Sequence, residues 1–379
     1  MTEFQGVRQR EAEPWHLPPE FEAHAVYQRN WRVRAEQGRR VIKGKGNPFI
    51  LVEQGHIRNY VNPTQTDVAT TNMRIFQHIF KKVTGKHTHQ GGYSLFIVEG
   101  GGYTIVDGVR HNWKPGDMVL LPIKKGGCEH QHFNSEPDRP SRWLALNPRP
   151  LHECLGAYTH QKEFCEDWKQ AHGDGVVQGS TVWLRDMQEQ TQPKTQKASA
   201  KLGSLTPLKI TPKTGRAKTR WDELIELRDQ QREQLKHSRV VVHFDELPWE
   251  INPQGKMKWY LHPGIKDTAH HESIIYMQEI PPGSRSGKLI HQGGTAFYVW
   301  KGKGYSIIND EKFDWEEEDL ILLPVSIRWD EGVTYQHFNA DPKEPALLLA
   351  SAPNVWDSMG VDLGIGLEQL ETCPEYFGK

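Results

Sequence analysis

Two short stretches concentrate the groups able to hold a metal ion. Residues 85–92 read GKHTHQGG and residues 129–134 read EHQHFN. In extended chain, residues two apart lie on one face. His87 and His89 therefore point the same way, and His130, His132 and Asn134 share a wall. Neutral imidazole is a ligand for Fe, Zn, Ni or Mn. Two imidazoles from one strand and a third from a facing strand close one triangular face of an octahedron. The opposite face stays open for substrate and oxygen. The expected ligands are His87, His89 and His130. His132 is read as a base beside them, with a role in the barrel wall or at a second ion as the alternatives.

Carboxylates are scarce at the same depth. Glu99 ends its strand at a Gly turn, which places it at the rim. A site of three His leaves a divalent cation its full charge, so an anionic, chelating substrate is favoured. Arg74 and Gln77, on the strand before the motif, are the expected anchors of such a substrate. Arg142 is a further cation, and Phe76, Phe96, Trp113 and Trp143 are candidates for a flat wall or ordinary core. Asn134 and Asn339 are expected to fasten strand ends. His111 and Asp107 read as turn residues, Cys128 as a buried inert thiol. Of the adjacent His270 and His271, at most one is expected to reach a site.

The first motif has an echo. Residues 287–294 read GKLIHQGG, and TYQHFN at 334–339 matches EHQHFN. An ungapped alignment sets 76–122 against 278–324 and Arg74 against Tyr276. It replaces His87 by Leu289; after a slightly longer loop in the second copy the register returns and His130 meets Tyr335, while His291, His337 and Asn339 remain. The expectation is a second copy that has lost its metal and keeps its His residues as core or pocket lining, with a weak second metal site as the alternative.

Elements of particular kinds must carry these motifs. YSLFIVEG, TAFYVWKG and MVLLP are rich in β-branched and aromatic residues and end at Gly, Asp or Pro turns, which predicts short strands. Similarity at a separation of about 200 residues means a duplicated domain. The fold class expected is all-β, two jelly rolls with peripheral helices over 161–173 and 221–237. The boundaries read as a metal-bearing domain at 1–185, a basic linker with a short helix at 186–237, and a second domain at 238–379. From 191 to 220 the linker carries eight Lys or Arg and no Asp or Glu. It is read as a loop, since no aromatic platform accompanies the charge as nucleic-acid binding would require.

Composition excludes several classes. The 379 residues carry a formal net charge of -1, so no global cationic field favours nucleic acid or an anionic membrane. No run of 18 apolar residues occurs, the N-terminal stretch has no apolar signal core, and the four cysteines fit neither a zinc ribbon nor a disulfide framework. The reading is a cytoplasmic protein with free thiols, binding small molecules, and a homo-oligomer through its sheet edges.

Taken together, KHTHQGGYSLFIVEGGGY and the later GDMVLLP and HQHFN resemble the two motifs of the cupin superfamily, and the duplication resembles its bicupins. The family's motif Glu is missing, with Tyr93 and Ser94 at its place. Among bicupins the chain resembles gentisate-type dioxygenases, whose three-His site lies in the first cupin. That resemblance implies Fe(II) on His87, His89 and His130. It further implies O2 and a hydroxylated aromatic acid as substrates, and ring cleavage as the reaction. The strong match between the copies also resembles bicupin iron monooxygenases that can use two irons. A non-catalytic ligand-binding bicupin and a non-oxidative Mn or Zn enzyme are the other readings.

Overall fold

Alternating apolar runs punctuated by Gly turns fold here into short antiparallel strands, as hydrophobic period 2 requires. The computed structural model describes residues 18–153, 159–173, 217–328, 331–355, 358–359, 362 and 366–377. Most of the basic linker and Cys154 lie outside the described residues.

The first copy supplies β2 (Ile50–Val52), β3 (Gly55–Val61), β4 (Arg74–Phe80), β5 (Lys86–His89), β6 (Ser94–Glu99), β7 (Gly102–Val106), β8 (Val109–Trp113), β9 (Met118–Leu120), β10 (Cys128–Asn134), β11 (Ser141–Asn147) and β12 (His160–Glu163). The second supplies β14 (Glu250–Asn252), β15 (Gly255–Leu261), β16 (Ser273–Ile280), β17 (Lys288–His291), β18 (Ala296–Lys301), β19 (Lys303–Ile308), β20 (Glu311–Glu316), β21 (Leu320–Leu322), β22 (Val333–Asn339), β23 (Ala346–Pro353) and β24 (Glu368–Glu371). Two short strands, β1 (Val41–Ile42) and β13 (Val241–Val242), change places: β1 pairs with β21 of the second copy and β13 with β9 of the first. Each copy is a seven-stranded sheet packed on a five-stranded one, β13-β9-β6-β11-β4-β3-β2 on β12-β5-β10-β7-β8 in the first. This is the duplicated cupin jelly roll. Because β13 belongs to the first sheet, the exchange crosses the expected boundary at 238.

Helices α1 (Pro19–Gln37), α2 (Arg149–Glu153), α3 (Glu166–His172) and α4 (Arg220–Lys236) lie outside the barrels. Thr219 caps α4 in a reciprocal box with Asp222. The helix expected over 161–173 is shorter. Residues 160–163 form β12 instead, which covers the open edge of β5 and is tied to it by Gln161 Nε2, donating to the Lys86 carbonyl at 3.3 Å.

Two apolar cores fill the barrels. A third, including Tyr60, Ile75, Phe96, Tyr260, Ile275 and Tyr298, joins the two seven-stranded sheets. The paired glycines of both motifs have a steric cause. At Gly91 (φ +96) a Cβ would sit 1.9 Å from the Pro122 carbonyl oxygen, and at Gly293 (φ +89) the same distance from that of Pro324. The motif turn thus presses on the LLP strand end in each copy, and only glycine fits.

The ungapped alignment fails at one strand. Leu144 pairs with both Phe96 and Gln77, and Leu349 with both Tyr298 and Met277. Since Phe96 corresponds to Tyr298, Gln77 corresponds to Met277. The counterpart of Arg74 is therefore Ile274, not Tyr276, and the loop after β16 is two residues longer than that after β4.

Candidate metal centre

The inward face of β4 carries Arg74, Phe76, His78 and Phe80, and that of β11 carries Asn147, Ala145 and Trp143. Pairing of β5 with β10 sets His87 opposite His130 and His89 opposite Cys128. Strand alternation then turns His87, His89 and His130 to the interior. One ligand atom from each lies within 4.8 Å of those of the other two. The ring centres are 4.2 Å apart for His87–His130, 4.7 Å for His89–His130 and 5.5 Å for His87–His89. All three rings are buried.

Burial also fixes their charge. Desolvation, then the neighbouring imidazoles, hold the His87 and His89 values far below that of free histidine, and desolvation brings His130 down to about 3. The rings are neutral at pH 7 and keep lone pairs to donate. His87 Nδ1 donates to the Gly85 carbonyl at 3.4 Å, and His130 Nδ1 to the Cys128 carbonyl at 3.2 Å. Since a carbonyl only accepts, those bonds leave Nε2 unprotonated in both rings. His89 differs: its Nδ1 accepts from the Gly91 N–H at 3.0 Å, as His291 Nδ1 does from Gly293 at 2.7 Å. To offer Nε2 to an ion, His89 must move its proton to Nδ1 and release that bond. The donor set fits a divalent metal with nitrogen preference, and no carboxylate joins it. Glu99 instead pairs with Arg142 at 3.2 Å.

His132 lies deeper, 5.4 Å from His130 ring to ring. Its Nδ1 bonds the Thr104 hydroxyl at 2.8 Å, and that oxygen accepts from the Trp113 indole at 3.0 Å. The second copy repeats the arrangement with His337, Ser306 and Trp315 at 2.7 and 2.9 Å. The relay is thus present in both barrels, whereas among the described residues only the first brings three metal-ligating side chains together.

Arg74 opens β4 and is half-buried. Its guanidinium lies over Phe76 at 4.8 Å and reaches the Tyr93 hydroxyl at 3.4 Å, and it has no ion-pair partner among the described residues. Tyr93 packs its ring 4.8 Å from that of His89. Gln77 is not brought to the site, and the expectation that it anchors substrate is corrected. It occupies the outward face of β4, where Oε1 accepts from Arg58 at 2.5 Å and Nε2 donates to Tyr298 at 2.8 Å. Arg142 and Glu318 share that seam. A cavity of about 220 Å³ there is lined by both, and Arg142 is already paired with Glu99 and Glu318.

Cys128 is buried and its thiol is pushed up to about 12 by desolvation, in keeping with an inert group. Asn134 Nδ2 donates to the carbonyls of Lys81 and Arg139, and Asn339 fastens the equivalent corner. In the second barrel Leu289 faces Tyr335 in register, both buried, and Tyr335 bonds Tyr276. Among the described residues no second group of three metal-ligating side chains converges.

Sequence reasoning missed three groups. His78 lies inside the barrel, its ring 4.8 Å from that of Trp143. His152 and Glu272 meet through tertiary contact alone, 120 residues apart. Parity along β4 could have found His78. No local signal points to the other two.

The architecture and site define a bicupin with a three-His centre in its first barrel. Among solved structures, a deletion mutant of oxalate decarboxylase from Bacillus subtilis superposes with a TM-score of 0.52 at 12% identity, covering 88% of this chain and 80% of that one. No protein-family model matches the chain. Curated relatives include 5-aminosalicylate 1,2-dioxygenase of Comamonas sp, 25% identical over 118 residues, which are 31% of this chain and 29% of the relative. Gentisate 1,2-dioxygenase 1 of Aquipseudomonas alcaligenes is 24% identical over 244 residues, which are 64% of this chain and 60% of the relative. The matched segments thus span less than two thirds of either relative. Both relatives carry dioxygenase names, in line with the resemblance read from the motifs.

Proposed function

We propose that the protein is an Fe(II)-dependent dioxygenase that opens the ring of a hydroxylated aromatic acid with O2. The observation that carries this reading is the convergence of three buried neutral imidazoles, with Arg74 linked to His89 through Tyr93 and without an ion-pair partner among the described residues. The names of the two dioxygenase relatives support it. His87, His89 and His130 are the proposed ligands. Bound there, iron would supply a Lewis-acidic, redox-active centre for substrate and oxygen. Arg74 pairs with the substrate carboxylate and sets its orientation. Phe76 and Tyr93 flank the ring, and the apolar walls exclude water. His132 supports the barrel wall through Thr104. The three described cysteines, Cys128, Cys165 and Cys373, are unpaired and buried, which suits a reducing cytoplasm. No described helix is long and apolar enough to cross a membrane.

The test is metal content together with oxygen uptake on gentisate, salicylate and 5-aminosalicylate. One iron per chain and ring-opened product containing both oxygen atoms are expected. His87→Ala should lose metal and turnover, whereas His291→Ala should keep both. Equal metal loss in the two variants would refute the single-site assignment. Product with one oxygen atom and a demand for outside electrons would replace the dioxygenase by a monooxygenase.

A further inference from the structure

The second copy reaches into the first site. His152 Nε2 donates to Glu272 Oε2 at 2.6 Å, with side-chain exposures of 4% and 8%. His152 lies on α2, directly after β11. Glu272 precedes β16 and belongs to the other copy. Gly92 sets their place: a Cβ there would fall 2.3 Å from His152 Nε2 and 2.6 Å from Glu272 Oε2. Gly92 follows His89 by three residues, and the Tyr93 ring lies between, 4.8 Å from His89 and 6.1 Å from His152. The second oxygen of Glu272 has no hydrogen bond and faces His270 Nδ1, also unbonded, at 3.9 Å.

An imidazole oriented by a buried carboxylate is the arrangement of a general base, because the carboxylate stabilises the imidazolium that forms. With Nε2–H given to Glu272, Nδ1 is the ring atom left to accept a proton. A divalent cation held by the triad would acidify a substrate hydroxyl that met it, and the proton released would need an acceptor. Arg74 has no lone pair to take it, and the three ligand imidazoles are committed. The charged and titratable groups around His152 are Glu272, His270, His89 and Tyr93, with Arg74 behind Tyr93.

We propose that His152 is the proton acceptor for the substrate hydroxyl and that Glu272 is its positioning residue, so that the second copy completes the first site. This rests on the reading under Proposed function. The substrate O–H bond breaks, an Nδ1–H bond forms on His152, no electrons move, and the proton leaves with product.

The test is anaerobic calorimetry of iron-loaded protein with gentisate or salicylate, near neutral pH, in two buffers of different ionisation enthalpy. Wild type should pass close to no protons to buffer, since the acceptor is internal. His152→Gln should pass roughly one per ligand bound and bind about tenfold more weakly. Glu272→Gln should fall between, with iron content unchanged in both. Iron-replete variants with the proton count of wild type would overturn the proposal, and iron loss in one leaves the other to decide by the same count. If iron-loaded wild type binds neither acid, the proposed function falls and takes this inference with it.

Discussion

Two substitutions in the second barrel would give it the ligand set of the first. Leu289 and Tyr335 face each other across β17 and β22 as His87 and His130 do across β5 and β10, and His291 already occupies the position of His89. Leu289→His with Tyr335→His should therefore create a second triad. The cost follows from what is removed. Leu289 is 6% exposed, so its burial contributes about 1.5–3 kcal/mol. Loss of the bond between Tyr335 and Tyr276 adds about 0.5–1.5 kcal/mol. Two imidazoles must also be desolvated. The metal-free variant should thus be weaker by roughly 3–5 kcal/mol, a fall in Tm of about 2–4 °C for each kcal/mol in a domain of this size. Metal at 1,000 times its Kd returns about 4 kcal/mol. The assay is metal stoichiometry with thermal melts, with and without ferrous iron. Two equivalents per chain and iron-dependent recovery of Tm are expected, and adding His291→Ala should restore one equivalent. A folded double variant that still holds one equivalent would show that β17 and β22 do not repeat the geometry of the first barrel.

Three further outcomes follow. Arg74→Gln should keep its iron and lose about 10- to 100-fold in kcat/KM, the value of a charge-assisted hydrogen bond of roughly 1.5–3 kcal/mol. Unchanged kinetics would remove Arg74 as the carboxylate anchor. His78 and His130 are held at about 3 against an ordinary 6.5, with burial the largest cause, so the unfolded chain binds protons that the folded chain refuses. Stability is then fully present above pH 6.5 and is lost as pH falls toward 3. A urea midpoint that stays flat between pH 7 and 5 would contradict this. Arg58 is 5% exposed and holds Gln77, Glu318 and the Gly44 carbonyl at the seam. Arg58→Met should lower unfolding free energy by about 3–5 kcal/mol, since it strands its partners. A loss below about 1 kcal/mol in denaturant titration would show the seam to be plastic.

The triad was legible because strand parity is local. HTH and HQH each display their faces within three residues, and the sheet needs only to bring two strands into register. The face of β4 on which Arg74 lies was legible for the same reason. Gln77 was not, because its parity along β4 is opposite to that of Arg74. Reading the two together as anchors ignored the alternation that had served for the histidines. The correspondence of Arg74 with Tyr276 failed where a two-residue difference in loop length hid inside a seemingly ungapped match. Residues 160–163 look helical alone, but an open strand edge beside His87 outweighs local propensity. His152 and Glu272 meet only after both barrels have docked, and no periodicity records that event.

The exchange of β1 and β13 has a consequence for how such a duplication can age. Each half lends the other a border strand: Val241–Val242 lies outside Met118–Leu120, and Val41–Ile42 lies outside Leu320–Leu322. A gene cut between the repeats would yield two fragments, each with a raw flank and a loose ribbon meant for its sibling. Either half can thus drift in its chemistry while still being needed as a clasp.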